Sequence, residues 1–312
     1  MSARRIQTAI MKRHPNNPLI TPADLPGAEA VYNCGAAWFQ GKHLLLLSVY
    51  DSNTTARMHI ATSEDGVGFE IREKPFIEAA TDPEFAPYDG WTIDPRITKI
   101  DDTYYIVYPA YSRNGVVGML GKTTDFETFE RIDIISLPDN RCPVLFPEKI
   151  NGRYVRLDRP VGHVRPGQLW ISYSPDLLHW GHHRLLMDFG MEVWNRRKVG
   201  PCAPPIKTEK GWLVIYHGVS ELRLQYSLSC ALLDLDDPSK VIGRAPGWII
   251  APEEPYERVG VTNNVVFSTG AIVDAGTKEL KLYYGAADTC IGLATAPLQD
   301  LIDLCLVNAE RE

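Results

Sequence analysis

No run of apolar residues in this 312-residue chain is long enough to span a bilayer, and nothing after Met1 has the apolar core of a secretory leader. A cytoplasmic protein with no membrane partner is therefore expected. Cysteine is sparse and scattered. Cys34, Cys142, Cys202, Cys230, Cys290 and Cys305 make no CxxC pair and no Cys/His zinc spacing, so buried reduced thiols and no metal are expected. An excess of positive charge is missing too: 32 Lys and Arg stand against 39 Asp and Glu, a net charge of -7. That argues against nucleic acid as a partner, while a local basic cluster can still hold a small anion. No Pro/Gly/Ser-rich linker or charge block divides the chain, so residues 1–312 read as one domain. Helical periodicity is confined to the tail. Behind Pro297, the residues Leu298, Leu301, Ile302 and Cys305 share one face, which predicts a short C-terminal helix within 297–312.

What the chain does contain is a hairpin that recurs. In GWTIDPRITKIDDTYYIVYPAYS (Gly90 to Ser112), a short apolar run carrying Asp94 meets a polar turn at Asp101-Asp102 and returns as an aromatic, β-branched strand. The same skeleton appears around Gly41, Gly152, Gly211 and Gly276, at separations of 61, 50, 59 and 65 residues through Asp102. Recurrence at that period in an all-β pattern predicts a five-bladed β-propeller. A second repeat agrees with it: SEDGVGFE, TTDFETFE and SPDLLHWG each follow a hairpin and read as the turn between the outer strands of a blade, with Asp bonding local amides. Residues 1–29 hold the proline-bracketed NPLITP and form an extension expected to pack along the propeller edge or to supply a closing strand.

Overlaying the hairpins brings polar residues together. First strands begin at Asn33, Asp94, Arg141, Lys198 and Asn263 or Asn264; second strands end near Asp51, Tyr111, Arg159, His217 and Asp288. In an antiparallel hairpin these positions share one end, so all ten are expected on one face around the axis. Arg141, Arg159, Lys198 and His217 would repel one another unless an anion such as phosphate sat among them. Alternatively, each pairs with a carboxylate such as Glu148 or Asp158 on a solvated face. Asp94 is the acid candidate, or else a structural carboxylate tying the turn before Pro95. Inverting glycoside hydrolysis ordinarily uses two carboxylates. Phosphate, already an anionic nucleophile, removes the need for the base, and one acid facing a basic cluster is a phosphorolysis layout.

The motifs IDPRITKIDDTYYI, VLFPEKINGRYV followed by RP, KVGPCAPPIKTEKGWLVIYHGV, ALLDLDDPSKV and LYYGAADT resemble the inverting β-mannoside phosphorylases of glycoside hydrolase family 130, over nearly the whole chain. The resemblance implies a five-bladed propeller that converts a β-mannoside and phosphate to α-mannose 1-phosphate and a shortened sugar. Phosphate is the co-substrate, no cofactor is required, and self-association is implied. Residue by residue, the general acid falls on Asp94, which acts through the mannosyl 3-hydroxyl, and the phosphate ligands fall on Arg141, Arg159, Lys198 and His217. Sugar contacts fall on Asn33, Arg57 and Asp288, with His163 on the acceptor side and Tyr111 beside them. Departures lie at Ser48-Val49, where relatives carry Arg, at Ile93, where they carry Tyr, and in the short VGHVRPG loop, whose Arg165 has no counterpart. They put the leaving sugar and the linkage in doubt. Three other readings stay open: a hydrolase of the same family, an arabinanase-like hydrolase, whose blade-one acid would fall on the amide Asn33, and a non-catalytic sugar-binding propeller using Trp91, Trp170 and Trp194.

Overall fold

In blades one and four the second strand is apolar at almost every position because both of its faces are covered. In Lys42–Asp51, Leu44 and Leu46 pack toward the following blade while Leu45, Leu47 and Val49 pack toward the preceding one. Trp212–Val219 does the same, with Trp212, Val214 and Tyr216 on one side and Leu213 and Ile215 on the other. A sheet buried on both faces needs this continuous apolar pattern rather than strict alternation.

A computed structural model describes residues 10–53, 55–162, 167–190 and 192–307. It is a five-bladed β-propeller of five antiparallel sheets. Blade one comprises Ala28–Phe39, Lys42–Asp51, Ala56–Ser63 and Glu70–Ile71; blade two comprises Trp91–Thr92 with Arg96–Ile100, then Thr103–Ser112, Gly115–Thr123 and Glu130–Ser136. Blade three runs through Asn140–Leu145, Tyr154–Pro160, Leu169–Ser174 and Gly181–Met187; blade four through Lys198–Pro201 with Ile206–Lys207, Trp212–Val219, Tyr226–Leu233 and Val241–Arg244. Blade five has Val266–Val273, Glu279–Ala286 and Cys290–Pro297, and its outer strand is Lys12–Arg13 from the N-terminal extension, paired as Lys12 with Thr295 and Arg13 with Ala294. The predicted closing strand is thus present. Arg13 Nε secures it by donating to the buried Glu257 carboxylate at 2.7 Å.

Five apolar clusters, one at each junction between neighbouring blades, form the core. The outer-strand turns form as read: Asp65, Asp125 and Asp176 each accept backbone amides two and three residues on. The helix Leu298–Leu306 buries Leu301, Ile302 and Cys305 against blades four and five. All six cysteines are buried and unpaired. Among the described residues no helix is long and apolar enough to cross a membrane.

First strands pack on one another around the axis from blade five through blades one, two and three to blade four, and each is broken along its length. Register shifts fall between Tyr32 and Gly35, between Arg141 and Val144, and between Phe267 and Gly270. Pairing lapses between Thr92 and Arg96 in blade two and between Pro201 and Ile206 in blade four. Asn33, Asp94 and Cys142 sit at these breaks with φ of 39°, 55° and 59°. Such bulges swing side chains out of the strand alternation and concentrate beside active sites.

Candidate active site

The strand breaks surround a cavity of about 400 Å³ on the axis. Asn33, Asp94, Tyr111, Arg141, Arg159, Lys198 and Asp288 line it, from all five blades.

Asp94 is held from three directions. Its backbone amide donates to Ser48 Oγ at 2.9 Å, and Ser48 Oγ in turn donates to the Asn33 carbonyl at 2.8 Å. The Asp94 carbonyl accepts Arg96 Nη1 at 2.7 Å, and its Oδ1 accepts Asn33 Nδ2 at 2.8 Å. The carboxyl bonds a neighbouring blade rather than its own turn, so it is not the local tie before Pro95. Burial raises its pKa, opposed by Arg96, the Asn33 bond, Arg159 and Arg141. On the same side the Asp288 carboxyl is pushed up to about 6, first by burial and further by the Asp94 carboxylate, against a hydrogen bond from Thr262.

The cations occupy the other side. Glu148 pairs with Lys207 and Asp158 with Arg156, so neither neutralises the cluster. Among the described residues Arg141, Arg159, Lys198 and His217 form no ion pair with a carboxylate. The Nε atoms of Arg141 and Arg159 are buried without a hydrogen-bond partner. Lys198 Nζ donates to the Tyr226 hydroxyl at 2.5 Å, and the Arg141 guanidinium lies 5.3 Å from the Tyr111 ring centroid. Burial first, then Arg159 and Arg141, push Lys198 down to about 7. Gly200 permits this crowding, since a Cβ there would lie 2.7 Å from His217 Cε1 and 2.9 Å from Arg159 Cδ.

Several expectations need correction. His217 is fully buried and does not line the cavity. Its pKa falls well below the usual imidazole value through burial and then the neighbouring Arg159, Lys198 and Arg96, so the ring is neutral. Arg159 Nη1 faces its Nε2 at 2.8 Å, which makes Nε2 the acceptor and sets His217 behind Arg159 as its support. Arg57 stands apart from this cavity: it lies in a separate one of blade one, 3.5 Å from Asp51 Oδ2 and 3.6 Å from Glu78 Oε1. Asp51 caps its own hairpin by accepting the amides of Asn53 and Thr55. Asn263 and Asn264 leave the lining to Val261 and Thr262 of the same loop. His163 and Arg165 lie outside the described residues. Trp194 is core, packed on Tyr216 and Trp248, whereas Trp91 does line the cavity.

Tyr32, Tyr226, Phe267 and Thr262 line the cavity without having been singled out from sequence, and Ser48 and Arg96 support Asp94. Third strands begin at the mouth just as second strands end there, so extending the hairpin overlay by one strand would have found Tyr226. Prolines 95, 143, 204 and 205 near the breaks were the signal for the bulges, since a proline inside a central strand points to a lapse in pairing.

The model of a family described as beta-1,4-mannooligosaccharide phosphorylase matches residues 3–306. The beta-1,4-mannooligosaccharide phosphorylase of Ruminococcus albus is 35% identical over 94% of this chain and 90% of its own length. The beta-1,2-mannobiose phosphorylase of Listeria innocua is 33% identical over 96% of this chain and 99% of its own. A solved structure of the Listeria innocua enzyme with beta-1,2-mannobiose gives a TM-score of 0.88, covering 95% of this chain and 99% of that one. By sequence over nearly its full length and by fold, the chain belongs to glycoside hydrolase family 130.

Proposed function

We infer that this protein is an inverting phosphorylase that cleaves β-mannosides with inorganic phosphate to give α-mannose 1-phosphate and a shortened sugar. One observation carries the reading: Arg141, Arg159 and Lys198 face the cavity without carboxylate partners among the described residues, opposite the Asp94 carboxyl. Hydrolysis would need a base to deprotonate water, whereas an anion needs only to be held and aimed. The relatives' names supply the sugar, since the family members at 33–35% identity above are phosphorylases of mannosides.

In the proposed reaction a phosphate oxygen, fixed by Arg141, Arg159 and Lys198, attacks the anomeric carbon as its bond to the leaving sugar breaks. Asp94, whose pKa burial raises, acts in its protonated form and gives up its proton, which reaches the leaving oxygen through the mannosyl 3-hydroxyl. The proton carried by hydrogen phosphate then restores the Asp94 carboxyl, so the cycle balances. Asn33 bonds Asp94 Oδ1, and among the described residues Oδ2 has no hydrogen-bond partner, which suits it to donate. Asn33, Tyr111 and Asp288 contact the mannosyl unit. The reaction draws on no metal or organic cofactor, and six reduced thiols suit a cytoplasmic setting.

The test is incubation with β-1,4- and β-1,2-linked manno-oligosaccharides and mannosyl-glucose, with and without phosphate. Phosphate-dependent formation of mannose 1-phosphate is expected. Equal sugar release in phosphate-free buffer would make the protein a hydrolase. The reverse reaction from α-mannose 1-phosphate over a panel of acceptors identifies the leaving sugar.

A further inference from the structure

We propose that Arg96 is a positioning residue that ties the acid of blade two to the anion pocket of blades three and four, a role that rests on the phosphorolytic reading above. Its side chain is fully buried between the two halves of the site. Nη1 donates to the Asp94 carbonyl at 2.7 Å and Nε to the Cys202 carbonyl at 2.9 Å, so one planar fork joins the strand breaks of two blades. From Cys202 the contacts continue. Its Sγ lies 3.6 Å from His217 Nδ1, and His217 Nε2 faces Arg159 Nη1 at 2.8 Å. An unbroken path, Asp94 to Arg96 to Cys202 to His217 to Arg159, runs from the proton donor to a phosphate-facing guanidinium.

Two features distinguish this arginine from one that merely fills the core. Arg156, equally buried, is neutralised by Asp158 at 2.9 Å, whereas Arg96 forms no ion pair among the described residues. A buried, unpaired guanidinium is unfavourable unless its charge is used. Its bonds also go to backbone carbonyls at the bulges of two different blades, the places that set where Asp94 and the His217–Arg159 pair sit. Nη2 remains buried without a partner.

The charge of Arg96 gives the role a signature. Around Asp94 stand Tyr32 from blade one, Tyr111 from blade two, Arg141 and Arg159 from blade three and Asp288 from blade five. After burial, Arg96 is the largest influence on Asp94, and it favours the carboxylate. Removing it lets Asp94 keep its proton to higher pH. Since the reaction uses protonated Asp94, the alkaline limb of the rate profile then moves upward.

The experiment compares Arg96→Met and Arg96→Lys with the parent, measuring kcat, KM for phosphate and the pH profile. Arg96→Met is expected to lower kcat by about 10²-fold, raise the phosphate KM and shift the alkaline limb upward. Arg96→Lys keeps the charge but cannot span both carbonyls, so a loss of about tenfold with the limb unmoved is expected. A loss equal at every pH with phosphate KM unchanged, as packing damage would give, overturns the proposal, as does an Arg96→Met variant equal to the parent. If Arg96→Met does not fold, Arg96→Lys decides alone: lowered kcat with raised phosphate KM supports the role, and unchanged values overturn it. A parent inactive on every β-mannoside would instead overturn the functional reading. Phosphate titration by calorimetry then tests Arg96 independently, with weaker binding to Arg96→Lys supporting the role and equal binding overturning it.

Discussion

Across the cavity, blades three and four present cations while blades one, two and five present carboxyls and amides, and burial acts on the two sides in opposite senses. On the carboxyl side desolvation raises the pKa of Asp94 and drives Asp288 up to about 6; on the cationic side it drives Lys198 down to about 7 and leaves His217 neutral. In the proposed reaction a bound phosphate acts on one side only, favouring the charged form of Lys198. One physical cause, exclusion of water from the axis, thus shifts the acid toward its protonated form and leaves the cations in want of an anion.

The sharpest way to separate the halves is Asp94→Asn, which should lower phosphorolysis by about 10²- to 10⁴-fold while phosphate affinity, read by calorimetry, stays near that of the parent. A matching fall in affinity would mean that the halves are not separable. Arg159→Met attacks the other side. It should cut kcat/KM for phosphate by about 10²- to 10³-fold, because a preorganised donor to the anion is lost, without moving the alkaline limb set by Asp94 as much as Arg96→Met does.

A smaller effect tests the opposed titrations directly. Lys198 is protonated below its value of about 7 and neutral above it, so phosphate affinity should weaken as pH rises past about 7, by at most about tenfold per pH unit. Lys198→Arg stays charged throughout and should flatten that dependence. Smallest of all, Tyr226→Phe removes the hydroxyl that accepts Lys198 Nζ and should raise the phosphate KM by about fivefold, with kcat nearly unchanged.

The legible parts of this molecule were those written as local pattern. Turns at Gly41, Asp102, Gly152, Gly211 and Gly276 counted the blades, and the paired Ser/Thr and Asp of SEDG, TTDF and SPDL marked the outer turns, because each depends on residues a few positions apart. Seven of the expected site residues line the cavity for the same reason, since hairpin ends are fixed by hairpin length. His217 stands behind Arg159 because side-chain direction near the mouth depends on strand pairing and bulges that spacing does not record, whereas Arg57, carried over from the family resemblance, lies on the third strand of blade one beside Asp51 and Glu78.

Local pattern along the chain specifies a closed ring of five similar hairpins, with acid and base residues collected at one end. Which of them reach the axis, which stand behind another side chain, and that Arg96 bridges the halves through backbone carbonyls follow from the packing of the blades. The physical reason is that strand periodicity is a property of neighbours in the chain. Burial, and with it the protonation of Asp94, Asp288 and Lys198, belongs to neighbours in space drawn from all five blades.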